Sequence, residues 1–386
     1  MKIKALKNIL FREFGFLFKS KDMLLICFIA PLIYSLMFSY LYVNKRATKI
    51  SLGVVNRDGL SVSRKLVRDI NANAELETIT QYNSFQEALN GVFKNDVSGF
   101  YVIPSNFGKN IKKGRIAPLL DVVNSSNFLV ASNVLKKISM TSIYFSKKQF
   151  RKILADKGYS YKATSSAFST IKINTVYLFN TQMNYSDFLL PCLLIAVLQQ
   201  IILVAVCTSV SLEKKNKGKF YELSNGSFFA MFFGKAIPYI LIGFLINILN
   251  IYIILPIDGI HALSVLGLFV LSVAFIVAIV CFAILVSVFF KSPEMAMVVL
   301  MFYSLPTVLL SGFAWPHNVL PKYLKFISYI FPSTYSMNYI RMFILGDVKI
   351  GYARNSIIAL IIFSFVCFFV TYFIEIKTKR VFALNK

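Results

Sequence analysis

The stretch "LSVLGLFVLSVAFIVAIVCFAILVSVFF", Leu263 to Phe290, contains no charged residue. Wound as a helix it would be about 42 Å long at roughly 1.5 Å per residue, more than a hydrocarbon core of about 30 Å requires. It must therefore tilt or project. Five further runs have spanning length: Met23–Val43, Phe188–Leu212, Phe229–Leu255, Met295–Phe313 and Ser356–Ile374. The first is too long for a signal-peptide apolar region and lacks a small-residue cleavage site, so it should remain as a span. The expected fold is an α-helical integral membrane protein of six transmembrane helices. Pro31, Pro238 and Pro306 lie inside or near the ends of spans and should kink them, which a membrane bundle tolerates.

Composition agrees: of 386 residues, 57% are hydrophobic and 38 are Phe, with a formal net charge of +25. A basic excess could mean nucleic acid, but much of it flanks apolar runs instead of forming one soluble face, which excludes that partner. Cys27, Cys192, Cys207, Cys281 and Cys367 all sit within apolar runs, so neither a disulfide framework nor a CxxC-type metal site is expected. His261 and His317 fall in short connections far apart and read as solvated loop residues. There is no GxxxxGK[ST] loop and no recognisable grouping of nucleophile, base and acid. No cofactor or metal is expected in this chain, and a membrane enzyme is the weakest reading.

Residues 1–22 form a basic amphipathic lead-in, with Ile3, Leu6, Leu10, Phe14 and Leu17 at helical spacing, suited to lying along a membrane surface. Lys and Arg cluster in this lead-in, after the second span ("EKKNKGK"), at Lys291 and in the tail, which places both termini in the cytoplasm if there are six spans. The polar segment 44–186 would then be outside, periplasmic or extracellular. It alternates strands ("ISLGVVN", "LETITQY", "VSGFYVIP", "APLLDVVNS") with helices ("SVSRKLVRDINAN", "SFQEALNGVFKN"), the pattern of a small α/β sheet. From about Asn127 to Lys157 it turns helical, with Val130, Val134, Ile138 and Phe145 on one face.

The spans carry almost no ionisable groups, with Lys235 and Glu375 near cytoplasmic ends, which argues against an ion-driven secondary transporter. At depth, the polar residues are Gln199 and Gln200 in the second span and Asn247 and Asn250 in the third. Interhelical hydrogen bonding is the ordinary role for each. The sharper alternative puts Gln199 or Gln200 on a translocation path or a dimer seam.

The layout resembles the permease subunit of type 2 ATP-binding cassette exporters, in the bacterial branch with a large external domain between the first and second spans. The resemblance covers essentially the whole chain and is carried by "REFGFLFKSKDMLLICFIAPLIYSLMF", "ISLGVVNRDGLSVSRKL", "LFNTQMNYSDFLLPCLL", "SLEKKNKGKFYELSNGSFFAMFFGK" and "SGFAWPHNVLPKYLKFISYIFPSTYSMNYIRMFILGD". In the fourth piece Glu213, Gly218, Leu223 and Lys235 match the family, while Lys219 stands where Thr is common and Asn225 where Pro is usual. In the fifth, Gly312, Pro316, Pro321, Pro332, Tyr335, Arg341 and Gly346 match. The resemblance implies two permease chains, identical or paralogous, in the bacterial inner membrane, with two ATPase subunits that hold ATP and Mg and drive a drug-like or amphipathic, lipid-like substrate outward. It also implies a periplasmic adaptor and an outer-membrane duct as companions. A non-transporting scaffold partnered with an ATPase would share this topology. The coupling segment would be 213–226, with Glu213, Lys214, Lys215, Gly218 and Leu223 at the ATPase contact.

The fifth run ends in "SGFAWPHNVLP", Ser311 to Pro321, where Gly312 and Pro316 should break the helix at the outer face. A short helix restarting at Pro321 and a second one capped by Ser333 are expected to dip back into the outer leaflet over 314–346. Phe313, Trp315, Pro316 and Pro321 then form an apolar outer gate facing the seam between two permeases.

Overall fold

The computed structural model describes residues 2–42, 50–72, 76–124, 128–158, 185–215, 227–313, 317 and 319–384. The chain divides into two compact units, one of residues 46–176 and one built from residues 1–45 and 177–386. Six helices in the second unit have the length and apolarity to cross a membrane: Lys21–Leu41, Ser186–Lys214, Phe228–Ile257, Val265–Ser287, Pro293–Leu310 and Ile350–Ile376. They are called the first to sixth spans below. A helix α1, Lys2–Lys19, precedes them.

Two prolines leave matching marks in the spans. Leu25–Ile29 in the first and Asn250–Ile254 in the third are π-helical, and each stretch begins six residues before a proline, Pro31 and Pro256. A proline has no N–H and its ring clashes with the carbonyl four residues back, so the ladder widens ahead of it. Ala30 N–H accordingly reaches the Leu25 carbonyl, and Leu255 N–H reaches that of Asn250. Pro256 was not among the prolines expected to distort a span.

The 46–176 unit is an α/β fold. Strands β1 (Ile50–Asn56), β2 (Leu76–Gln81), β3 (Gly99–Ile103) and β4 (Leu120–Val123) form one sheet in the order β2-β1-β3-β4. β1 pairs parallel with β2 and β3, because helices α2 (Ser61–Asn71) and α3 (Phe85–Phe93) make the crossovers, and β4 closes antiparallel on β3. Ser84 caps α3 by accepting from Glu87 N–H at 3.1 Å, while the Glu87 carboxylate accepts from Asn83 N–H at 2.9 Å. One sheet face packs Leu52, Val54, Tyr101 and Ile103 under α2, a short helix α4 (Phe107–Lys112) and the long helix α5 (Phe128–Asp156), which contributes Val134, Ile138 and Phe145. The other packs Val55, Phe100 and Val102 against Ala88 and Val92 of α3. α4 had no counterpart in the sequence reading.

In the membrane unit the second and fourth spans are the most enclosed, and the fourth packs on the second, third and sixth. Beyond the fifth span, α6 (Lys322–Ser328) touches that span, and α7 (Ser333–Leu345) lies against the second, fourth and sixth. α7 buries Met337, Ile340, Phe343 and Ile344, and its last carbonyls, Phe343 and Ile344, accept from Ser264 and Leu263 N–H at the start of the fourth span. Pro321 is the residue before α6, and Pro332 holds the equivalent position before α7. Ser333 is thus the first helical residue of α7, one place later than the expected cap, and its hydroxyl makes no cap bond.

Tyr101 and Asp121 are direct cross-strand partners on β3 and β4. The Tyr101 hydroxyl is buried with no hydrogen-bond partner among the described residues, and burial raises both the phenol and the Asp121 carboxyl above their ordinary values. Removing an unsatisfied buried hydroxyl relieves a desolvation cost, so Tyr101→Phe should stabilise this unit by about 1 kcal/mol. Thermal or urea unfolding of the full chain followed at this unit tests this; a clear loss of stability would mean that the hydroxyl has a partner.

Candidate functional site

α1 seats on the third span along one stripe, Ala5, Ile9, Glu13 and Leu17, each four residues from the next and each buried. Of the expected stripe, Leu17 is buried, but Leu6, Leu10 and Phe14 are only half-buried, so the seated face is turned by about one residue toward Ala5 and Ile9. The close approach depends on Gly234: a Cβ there would lie 2.6 Å from Ile9 Cγ2. α1 therefore docks on the bundle, and its exposed side carries Lys4, Lys7, Phe11 and Phe18.

That seating buries a carboxylate. Glu13 is wholly enclosed, and the Lys235 ammonium, next to Gly234, lies 3.0 Å from Glu13 Oε1 and 2.9 Å from Glu213 Oε2 at the end of the second span. Lys235 also donates to Ser209 Oγ at 2.9 Å, Ser209 donates to Glu13 Oε2 at 3.1 Å, and the Tyr239 hydroxyl donates to that oxygen at 3.4 Å. Arg12 pairs with Glu13 at 3.1 Å and with Glu213. Two carboxylates and two cations thus balance, with Glu13 and Lys235 enclosed and Glu213 and Arg12 toward the partly exposed rim, which makes burial of the inner charges tolerable. The cluster joins α1, the second span and the third span at one end of the bundle.

The next residue ties the second span to a fourth element. Lys214 Nζ donates to the carbonyls of Ser287 and Val288 at 2.8 and 2.7 Å, and to Phe290 at 3.4 Å. These groups end the fourth span, where orphaned carbonyls and the negative end of the helix dipole favour a cation. Glu213 and Lys214 point about 100° apart and so engage separate neighbours. Of the other coupling candidates, Lys215 is the last described residue of the second-span helix, and Gly218 and Leu223 lie outside the described residues.

Several polar residues at depth make contacts within the chain. Gln200 Nε2 donates to the Leu300 carbonyl of the fifth span at 3.0 Å. Gln199 is buried in the bundle, and its Oε1 has no hydrogen-bond partner among the described residues. Ser35 in the first span donates to Asn250 Oδ1 at 2.8 Å, and Ser39 to Asp258 Oδ2 at 2.6 Å. Asn250 and Asp258 thus secure the first span to the third, and the bundle holds more buried ionisable groups than the sequence reading allowed.

At the opposite end, Phe313 is buried and stacks on Phe188 at 5.8 Å, and the Arg341 guanidinium lies 4.9 Å from the centre of the Phe188 ring. Phe313 is therefore turned inward, not toward a seam. Trp315 and Pro316 lie outside the described residues, and Pro321 is exposed. Gly312 adopts a left-handed φ of 82°, and a Cβ there would lie 2.9 Å from both Asn338 Nδ2 and His317 Cδ2. His317, expected as a solvated loop residue, is instead half-buried against this turn and stacked on Tyr329 at 6.1 Å.

Residues 21–373 match the family described as ABC-2 family transporter protein. The chain belongs to the ABC-2 transporter family. It is 24% identical over 272 residues, 68% of either chain, to the probable multidrug ABC transporter permease YbhR of Escherichia coli K12. It is 20% identical over 337 residues, 86% of either chain, to the probable multidrug ABC transporter permease YbhS of the same organism. The chain is accordingly a multi-pass type 2 ABC permease. Glu13 and Ser209 were not singled out from the sequence. The available signal was a glutamate spaced four residues from Ile9 and four from Leu17 on an apolar stripe.

Breaking a buried pair by removing one partner costs about 3–5 kcal/mol. Lys235→Ala should therefore lower the unfolding temperature of the purified chain sharply, and Glu13→Leu combined with Lys235→Leu should restore much of the loss. A double variant as unstable as the sum of the singles would show that the two groups are not coupled.

Burial, and then the Lys325 ammonium, hold the His317 imidazole below its ordinary value. The unfolded chain then binds the proton more readily, so this contribution is present above about pH 6.5 and is lost as pH falls. His317→Gln should flatten the decline in Tm between about pH 7 and pH 5. An unchanged slope would assign the pH dependence elsewhere.

Proposed function

We propose that the chain is the membrane subunit of an ATP-driven exporter that moves a drug-like or amphipathic, lipid-like molecule outward across the bacterial inner membrane. Two ATPase subunits bind ATP and Mg on the cytoplasmic side, and a second permease chain, identical or paralogous, completes the path. In this reading the Glu13–Lys235 end of the bundle and both termini are cytoplasmic and the 46–176 unit is outside, an orientation that the lysine-rich flanks support. The names of the two Escherichia coli relatives support a multidrug-type cargo.

The observation that carries the mechanism is the division of labour between Glu213 and Lys214. Glu213 connects to Arg12 and Lys235, and Lys214 to the end of the fourth span. Segment 213–226 docks on the ATPase in this reading. A displacement delivered there passes at once to α1 and the second, third and fourth spans, because charged contacts across enclosed helix ends resist shear. In this reading Glu13 and Glu213 are engaged with Lys235 and Arg12, not with a coupling ion.

The test is Glu213→Gln in the permease reconstituted with its ATPase, where ATP hydrolysis should persist while export of a fluorescent amphipathic dye falls by about tenfold or more. Equal export by variant and wild type would remove Glu213 from coupling. Hydrolysis without dye export in the wild type itself would favour a non-transporting scaffold.

A further inference from the structure

A groove opens on the membrane unit between α1, the first span and the third span. Phe14 and Phe18 line it from α1, Phe28 from the π-helical turn, and Leu241, Phe244 and Leu245 from the third span, around a volume of about 230 Å³. No polar group faces it. Phe18 and Phe28 meet at 5.5 Å and close one wall. An apolar void of this size forfeits dispersion contacts if empty, and water finds no partners in it. In a bilayer the matter at hand to fill it is an acyl chain.

The edge of the groove selects among lipids. Lys19 and Lys21 directly follow Phe18, one on each side of the break in the helix at Ser20, and both are exposed. The exposed Asp22 follows, leaving one net positive charge at this edge. The outer face of α1 adds Lys4, Lys7 and the exposed Phe11, the mixture found on helices lying at headgroup depth. We propose that this groove binds one phospholipid with an anionic headgroup, its acyl chain between the phenylalanines and Leu245 and its headgroup at Lys19 and Lys21. The lipid bridges α1 and the third span beside the stripe that carries Glu13, so it steadies the seat of α1. Its leaflet is the one in which α1 lies.

The full-length chain, purified and challenged with an equal mixture of phosphatidylglycerol and phosphatidylcholine, is read by native mass spectrometry after delipidation. The wild type should retain one phospholipid per chain with a preference for phosphatidylglycerol of roughly fivefold, the effect of one net charge near the headgroups. Leu245→Trp, which fills the groove from a position 58% exposed, should lower retention of either lipid by about tenfold. Lys19→Gln with Lys21→Gln, which leaves Asp22 as the charge at the edge, should keep retention and abolish or invert the preference. Phe365→Trp, on the exposed face of the sixth span, should change neither. Equal retention of both lipids by the wild type overturns the proposal, as does undiminished retention by Leu245→Trp. Because Lys19 and Lys21 are surface residues, their double variant reads the headgroup preference even if the tryptophan variant fails to fold, and an unchanged preference there also overturns it.

Discussion

A lysine ammonium held between two carboxylates inside a helical bundle sets the terms for the rest of the membrane unit. Lys235 is 2% exposed, and its partners, Glu13 and Glu213, come from α1 and the second span. An ammonium stripped of water at that depth needs compensation from every side, so α1 and the ends of two spans must all stay in register with it. The absence of a side chain at Gly234 serves the same end, since it brings α1 near enough for Glu13 to reach the lysine. Ser209 and Tyr239 then occupy the remaining acceptor sites of Glu13.

Much of the scaffold was legible in the sequence, because it rests on patterns that a linear reading detects. Uninterrupted apolar runs located all six spans, five of them to within three residues at each end and the sixth starting six residues late, and "ISLGVVN" marked β1 at its observed limits. The alternation of strand and helix up to β3 and the long helix starting near Asn127 likewise match the observed order. What escaped was set by packing. α4 is too short to show a periodic face, and it is placed by Phe107 entering the core under the sheet. α1 was read from Leu6, Leu10, Phe14 and their helical neighbours, and of these Leu17 is buried; the rest of the seat is Ala5 and Ile9, because Ala230 and Gly234 on the third span leave room for close approach there.

The candidate site was legible in part. Glu213 and Lys235 stood out through resemblance, and Lys214 as one member of a basic run, but nothing in the run distinguishes a lysine that caps a helix from its neighbours. Glu13 was hidden because a charge on an amphipathic helix reads as a solvated one; its buried cation partner, Lys235 on the third span, lies more than two hundred residues away. Gln199 was read as lying on a translocation path or a dimer seam and Phe313 as part of an outer gate at that seam; within the chain Gln199 is buried in the bundle and Phe313 stacks on Phe188.

Ser209 and Glu213 are one helical turn apart, and Lys214 follows at the next position. Together they fix the rotational phase of the second span where it ends. One residue added or removed between Ser209 and Glu213 would swing both charged groups by about 100°, turning Glu213 from its cations and Lys214 from the carbonyls it caps. The end of this helix is therefore keyed to its neighbours in rotation, as a shaft is keyed to its hub, and the turn between Ser209 and Lys214 admits no change of length.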